Sequence, residues 1–353
     1  MPEDLSNNID QKIEAPQPQQ SNKLFIGLDV GTMNLVCARS DQSGDIKLTR
    51  NVFLPIDDEI SDSDFSELSH VEDSEGKIYV IGQDAFNFSN VFGQEVRRPM
   101  KRGVISSDEV DAIEILTLVI KNLIGDISGK QAFCTYSIPA ESIDSGRSIT
   151  YHEKVFGRIL NAIGVNNTPL NEAMAIIYSE CQQERFSGIG ISFGAGMVNC
   201  AISYKGIETL KFSIEQSGDW IDQNVADSLN MVPNRVTNIK EKYFDMVTGF
   251  THQKNKKVRR VLEAIEYYYS TMIATVVKKI ITEFEEKVDL DLDDSLPVVI
   301  SGGTSLPNGF IEAFKSEFEK NELPFELSEI RRAKNPLTAV ANGLMIKTMA
   351  SSK

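Results

Sequence analysis

The chain has 353 residues, 41% of them hydrophobic and 25% charged, a composition suited to folded soluble protein with length for two domains of about 150 residues each. Its formal net charge of −15 and pI near 4.8 exclude a protein whose main task is to grip nucleic acid or an anionic membrane, since both need basic surface. The four cysteines, Cys37, Cys134, Cys181 and Cys200, lack metal-type spacing; with no secretory pattern and no apolar run of membrane-spanning length, a reducing, cytoplasmic setting is expected.

Residues 1–22 are polar and end in "EAPQPQQSN", a composition expected to stay disordered as an acidic tail. Leu5, Ile9 and Ile13 recur every four residues, so a short helix can form there on a protein partner; membrane attachment through it is not expected, because lysines and larger hydrophobes are missing. From residue 24 strands and helices alternate. "LFIGLDV", "LVCARS" and "DIKLTRNVF" read as strands, and "SSDEVDAIEILTLVIKNLIG" as a helix with Ser106 or Ser107 as N-cap and Glu109 and Asp111 in its first turn. "QAFCTYSIP" is a further strand and "SITYHEKVFGRILNAIG" a further helix. The pattern then restarts with strands "GIGISFGAG", "MVNCAISYKG" and "IETLKFSI", helices over 219–231, 234–246 and 258–286, and the strand "LPVVIS". The alternation predicts a mixed α/β fold. Two basic runs, "RRPMKR" at 97–102 and "KNKKVRR" at 254–260, read as solvated surface.

The stretches around 24–38 and 188–202 share one plan: strand, glycine turn, Met, Asn and an apolar returning strand. Overlaid, they set Asp29 opposite Ser192 and Gly31 opposite Gly194, which predicts a duplicated architecture with a cleft between the halves. Tight turns at Gly31, Gly194 and Gly196 let backbone N–H groups approach an anion with no Cβ in the way. A third loop, Gly302 and Gly303 in "PVVISGGTSLPNGFIEAF", gives a flat base or ribose access to the backbone.

With these motifs the chain resembles the actin-like ATPases, the superfamily of actin, sugar kinases and DnaK-type chaperones, nearest its MreB-type branch, over roughly residues 24–350. The resemblance rests on "IGLDVGTMN", "VIGQDAF" with "RRPMKRGVI", "PLNEAMAII", "EQSGDWIDQNV", "VTNIKEK", "SGGTSLPNGF" and "NPLTAVANGL". It implies two RNase H-like halves, residues 23–168 with a closing helix at 335–350 and residues 169–334, holding ATP and Mg²⁺ between them. In that scheme Asp29 holds the metal through water, and Gly31, Thr32, Met33 and Asn34 meet the β- and γ-phosphates. Gly194, Ala195 and Gly196 form the second phosphate turn, Gly218 opens a helix onto the cleft, and Lys240 with Gly302, Gly303 and Thr304 serves the nucleoside. Glu172 polarises the attacking water.

The family places Asp and Thr where this chain has Ser192 and Met197, and an acidic adenosine contact where it has Thr237. Serine adds no charge and methionine cannot usefully orient a water, so nucleotide binding is expected with slow or impaired hydrolysis. The compact core, with no long C-terminal substrate domain, favours a filament-forming cytoskeletal protein over a non-polymerising adaptor on the same fold, or a kinase.

Overall fold

The computed structural model describes residues 22–351 except 43, 57–67, 93–95, 110, 146–147 and 289–294, so the expected N-terminal tail lies outside the described residues. The first apolar run forms β1 (Lys23–Val30), and the chain returns antiparallel as β2 (Asn34–Arg39), then β3 (Lys47–Arg50). The expected single strand over 45–53 is interrupted: Asn51 donates its backbone N–H to the Met33 carbonyl (2.7 Å) and its side-chain amide to the Gly31 carbonyl (3.0 Å). Tethered to the first turn, the chain leaves that sheet, and β4 (Phe53–Pro55) pairs in a small separate sheet with β5 (His70–Glu72) and β6 (Ile78–Ile81). Helix α1 (Gly82–Phe92) follows, then a hairpin of β7 (Met100–Lys101) and β8 (Val104–Ile105).

Helix α2 is Ala112–Ile124, later than its sequence suggests, and neither Ser106 nor Ser107 caps it. Arg97 is the reason: it draws Glu109 (2.8 Å) and Asp111 (3.1 Å) into ion pairs, so these carboxylates fasten the preceding loop. The run 97–102 is accordingly only partly solvated: Arg97 is engaged, Arg98 is mostly enclosed and Met100 is fully buried, while Lys101 and Arg102 are exposed as expected.

After β9 (Gln131–Ile138), α3 (Thr150–Ile163) and β10 (Asn166–Asn171), the first sheet is complete in the order β10-β9-β1-β2-β3. Helix α4 (Glu172–Glu180) crosses to the second half. There β11 (Gly188–Phe193), β12 (Val198–Tyr204) and β13 (Ile207–Ile214) precede α5 (Gly218–Leu229), α6 (Pro233–Tyr243) and the long α7 (Lys256–Lys287). Strand β14 (Leu296–Ser301), α8 (Phe310–Phe318) and β15 (Leu327–Arg332) close the second sheet in the order β13-β12-β11-β14-β15. The two orders are the same path: a central strand, an antiparallel hairpin to one side and parallel strands to the other. Each sheet has its own apolar core, one around Leu24, Leu28 and Phe156, the other around Ile191, Phe212 and Phe314.

The last helix, α9 (Ala339–Ser351), returns to lie on β1 and β9 and against α4. Small residues make this crossing close. A Cβ on Gly343 would stand 1.8 Å from the Ala175 carbonyl oxygen, one on Gly27 2.0 Å from that of Ala341, and one on Gly190 2.3 Å from that of Ala173. All four cysteines are buried free thiols; burial pushes Cys37 up to about 12 and Cys200 further, so both pack as small apolar groups.

Candidate functional site

The two hairpin turns are built alike. Gly31 donates its N–H to the Asn34 carbonyl and Gly194 to that of Met197, each at 3.0 Å. Each closure spends one glycine amide, and among the described residues no carbonyl receives the amides of Thr32 and Met33 or of Ala195 and Gly196. Short runs of unspent amides at a turn are anion cradles. The turns touch: a Cβ on Gly196 would lie 2.2 Å from Thr32 Oγ1 and 2.3 Å from the Gly103 nitrogen, so only glycine permits the approach. Gly103, in the β7–β8 turn at φ +74°, completes the junction by donating to Thr32 Oγ1 at 3.0 Å.

Around this junction lies a cavity of about 550 Å³, within the range of small-molecule and cofactor pockets. Every residue expected from the sequence to meet nucleotide or take part in its hydrolysis lines it, from Asp29 and Glu172 to Thr304. Helix α5 opens onto the cavity: the Gly218 and Asp219 amides go to the carbonyls of Gly194 (3.3 Å) and Ala195 (2.8 Å), and Thr304 Oγ1 also donates to Gly194 (2.8 Å). The third loop abuts the second turn, since a Cβ on Gly302, at φ +94°, would meet the Phe193 carbonyl oxygen at 2.3 Å. Lys240 reaches the cavity with its ammonium engaged by buried Asp222 (2.7 Å) and the Gly218 carbonyl (3.3 Å); Thr237 donates to the same aspartate (2.7 Å).

Two carboxylates face each other across the halves. Asp29, at the end of β1, accepts one hydrogen bond from Ser137 Oγ at 2.9 Å. Glu172 stands in the first turn of α4, whose N-cap Asn171 accepts from the amides of Ala173 (3.0 Å) and Met174 (3.2 Å). Burial raises both carboxyl groups above the usual carboxylate range, and the nearby Asp29 raises Glu172 further, against hydrogen bonds from Ser192 and Asn199. Asn199 Nδ2 donates to Glu172 Oε2 at 3.1 Å, while its Oδ1 accepts from the Ala140 amide at 2.9 Å. Ser192 and Asn199 are cross-strand partners, so the second hairpin orients the glutamate. Met197 is buried, its sulfur against Gly103.

A pair of buried carboxyls short of counter-charge suits one hydrated divalent cation held jointly with phosphate oxygens, the usual habit of Mg²⁺. Among the described residues no group of three or more His, Cys, Asp or Glu forms a complete metal cage.

The pair also has a cost to stability. Their folded pKa values lie above the unfolded ones near about 4, so the native state holds protons that the unfolded chain has released. Stability from this pair is therefore full in acid and lost as pH rises through neutrality. Glu172→Gln is expected to raise the melting temperature above neutral pH and leave it unchanged in acid; equal shifts at every pH would show that ionisation is not the cause.

Sequence reasoning missed the ties across the cleft. Arg98 pairs with Asp219 at 2.8 Å, and Arg50 with Glu241, while Gln83 accepts from Arg50 Nε at 2.6 Å. Both guanidinium groups also approach the Met33 sulfur, at 3.5 Å from Arg50 and 3.8 Å from Arg98, so the first turn touches both ties. Apolar Phe244, Leu306, Pro336 and Leu337 line the cavity beside the Gly302–Gly303 loop, with Phe244 against Tyr269 at 4.7 Å. Arg50 and Phe244 lie outside the motifs read from the sequence; Gln83, Arg98, Asp219, Glu241, Leu306, Pro336 and Leu337 lie inside them, but nothing in those stretches signals these contacts.

A family described as Volactin matches residues 24–348. No curated protein matches the chain. Among solved structures, the chain is similar to the MamK double helical filament at 17% identity, with 94% of this chain and 99% of that one covered and a TM-score of 0.67. It is also similar to MreB 5 of Spiroplasma citri bound to AMPPNP at 16% identity, covering 95% and 98%, TM-score 0.65. A third likeness is to the ethanolamine utilization protein EutJ from Carboxydothermus hydrogenoformans at 19% identity, covering 94% and 91%, TM-score 0.53. These likenesses establish the actin-like fold, two sheet-and-helix halves about a cleft.

Proposed function

This chain belongs to the Volactin family, and from its fold and cleft we propose that it is an actin-like cytoskeletal protein of the cytoplasm that binds ATP with Mg²⁺ between its halves, polymerises into filaments and hydrolyses ATP slowly. One observation carries the nucleotide assignment: two amide-bearing turns, the start of α5 and the Gly302–Gly303 loop converge on one cavity with Asp29 and Glu172 at its centre. The turns would receive the β- and γ-phosphates and the apolar end the base. The sequence-based boundary between residues 168 and 169 falls inside β10, so we assign the halves as residues 23–171, joined by the closing helix 335–350, and 172–334. The pairing of β10 with β9 through Asn171 leaves the change-over to α4.

Mg²⁺, when bound, would neutralise charge developing on the transferred phosphoryl group. Asp29 would hold its water shell, and Glu172 would orient and polarise the attacking water. Slow hydrolysis follows from the second turn: the Ser192 hydroxyl is directed to Glu172 and Met197 is packed against Gly103, so neither supplies the carboxylate or hydroxyl usual in the superfamily. Polymerisation is supported by the fold that this chain shares with the MamK double helical filament. No helix of the described residues is long and apolar enough to cross a membrane.

Sedimentation over a protein dilution series, with and without Mg²⁺-ATP, tests the reading. ATP should move protein into the pellet above a critical concentration, and Asp29→Ala should weaken binding in the presence of Mg²⁺ but much less in its absence. A protein that binds ATP yet stays monomeric at all concentrations would be an adaptor on the same fold; one that binds no ATP would refute the site.

A further inference from the structure

The basic run 254–260 has no role in the cleft. It opens α7, a 32-residue helix about 48 Å long at 1.5 Å per residue. Near its middle the Tyr269 hydroxyl donates to the Thr304 carbonyl (3.1 Å), which fixes that point at the level of the cleft. Beyond it, towards the C-terminus, the helix follows the second sheet to its base. There Phe284 packs on Phe325 at 4.9 Å, and the Leu296 amide, at the start of β14, donates to the Glu326 carbonyl (2.8 Å). Strand β14 then runs back to the cleft at Ser301. The two ends of α7 thus lie at opposite ends of the second half.

Their charges are opposite. At the head, Lys254, Lys256, Lys257, Arg259 and Arg260 are exposed, and none forms an ion pair with a described residue. Around the base, Glu285, Glu286, Glu319, Glu322 and Glu326 are exposed and equally without such pairs, because Lys287 and Lys320 are committed to Glu283 and Glu317, leaving Lys315 beside them. Cations on the first turn of a helix and anions on its last both oppose the helix dipole, and like charges a turn apart repel. Each cluster therefore destabilises the lone chain, and each is the complement of the other.

We propose that the basic head of α7 in one copy seats on the acidic base around Phe284 and Phe325 in the next, a charge-steered longitudinal contact between copies of this chain. The inference rests on the filament reading and adds which surfaces meet and why. Head and base are different patches facing opposite ways, so the contact is heterologous and repeats into an open assembly. It is screened by salt, with a Debye length of about 8 Å at physiological ionic strength.

The test uses two full-length variants: a head variant with Lys256→Glu, Lys257→Glu, Arg259→Glu and Arg260→Glu, and a base variant with Glu285→Lys, Glu286→Lys, Glu319→Lys and Glu322→Lys. Each alone juxtaposes like charges, so its critical concentration in Mg²⁺-ATP should rise by about tenfold or more. A one-to-one mixture restores opposite charges at every contact if the variants alternate, and should pellet near the wild-type concentration with both chains in equal amounts. Wild-type assembly should weaken as salt is raised. Either variant assembling like wild type, or a mixture that stays soluble while both chains bind ATP and melt normally, overturns the contact. Should a quadruple variant fail to fold, the single changes Lys257→Glu and Glu286→Lys apply the same mixing test with a smaller shift. A wild type that binds ATP and never pellets would instead remove the filament reading, and this contact with it.

Discussion

Gly343→Val is expected to leave little folded protein. The new Cβ would stand 1.8 Å from the Ala175 carbonyl oxygen and 2.6 Å from its carbon, and both belong to the backbone of buried α4, which no rotamer change can move. Relief would require α4 and α9 to separate. Helix α4 is held against β11 at the Gly190–Ala173 contact, and α9 against β1 at the Gly27–Ala341 contact, so the strain reaches both sheets. Ordinary overpacking costs about 1–3 kcal/mol; a clash against backbone with partners fixed on both sides should exceed about 4 kcal/mol, a large part of a domain's stability. Urea unfolding of the soluble fraction measures it, with Gly343→Ala as the milder step. A denaturation midpoint for the alanine variant equal to wild type would mean that the two helices part readily and do not lock the halves together.

Glu172→Gln is expected to cut ATP turnover by about a hundredfold or more, the scale of a group acting on developing charge in a phosphoryl transfer, while nucleotide affinity changes only a few-fold. The amide keeps the size of the side chain but cannot accept a proton from water, and it ends the repulsion with Asp29. The variant gains stability above neutral pH as it loses activity, a trade common at strained sites. Phosphate release under single-turnover conditions, beside equilibrium binding of a fluorescent ATP analogue, separates the two effects. Turnover equal to wild type would place the water-activating group elsewhere. Ser192→Asp, by contrast, would bring a third carboxylate beside Glu172 and Asp29, so any gain in rate from it should require Mg²⁺.

The sequence by itself determined the α/β class, the duplication and the two turns. Strand periodicity, glycine at a turn and the Asp29/Ser192 equivalence are local, and the observed registers agree: Asp29 faces Val36 across its hairpin as Ser192 faces Asn199 across the other. Local signals failed where a distant partner competed. Ser106 and Ser107 look like caps, but Arg97 claims the carboxylates of that turn; 45–53 looks like one strand, but Asn51 is tied to the Gly31 turn. Only the tertiary structure decided that Asn199 and Ser192 direct Glu172, that Arg50 and Arg98 bridge the cleft to Glu241 and Asp219, and that the two oppositely charged ends of α7 lie at opposite ends of the second half. Arg98 and Asp219 are separated by 121 positions and Arg50 and Glu241 by 191. Their meeting depends on how two sheets pack about α4 and α9, and no residue's own neighbourhood in the chain encodes that.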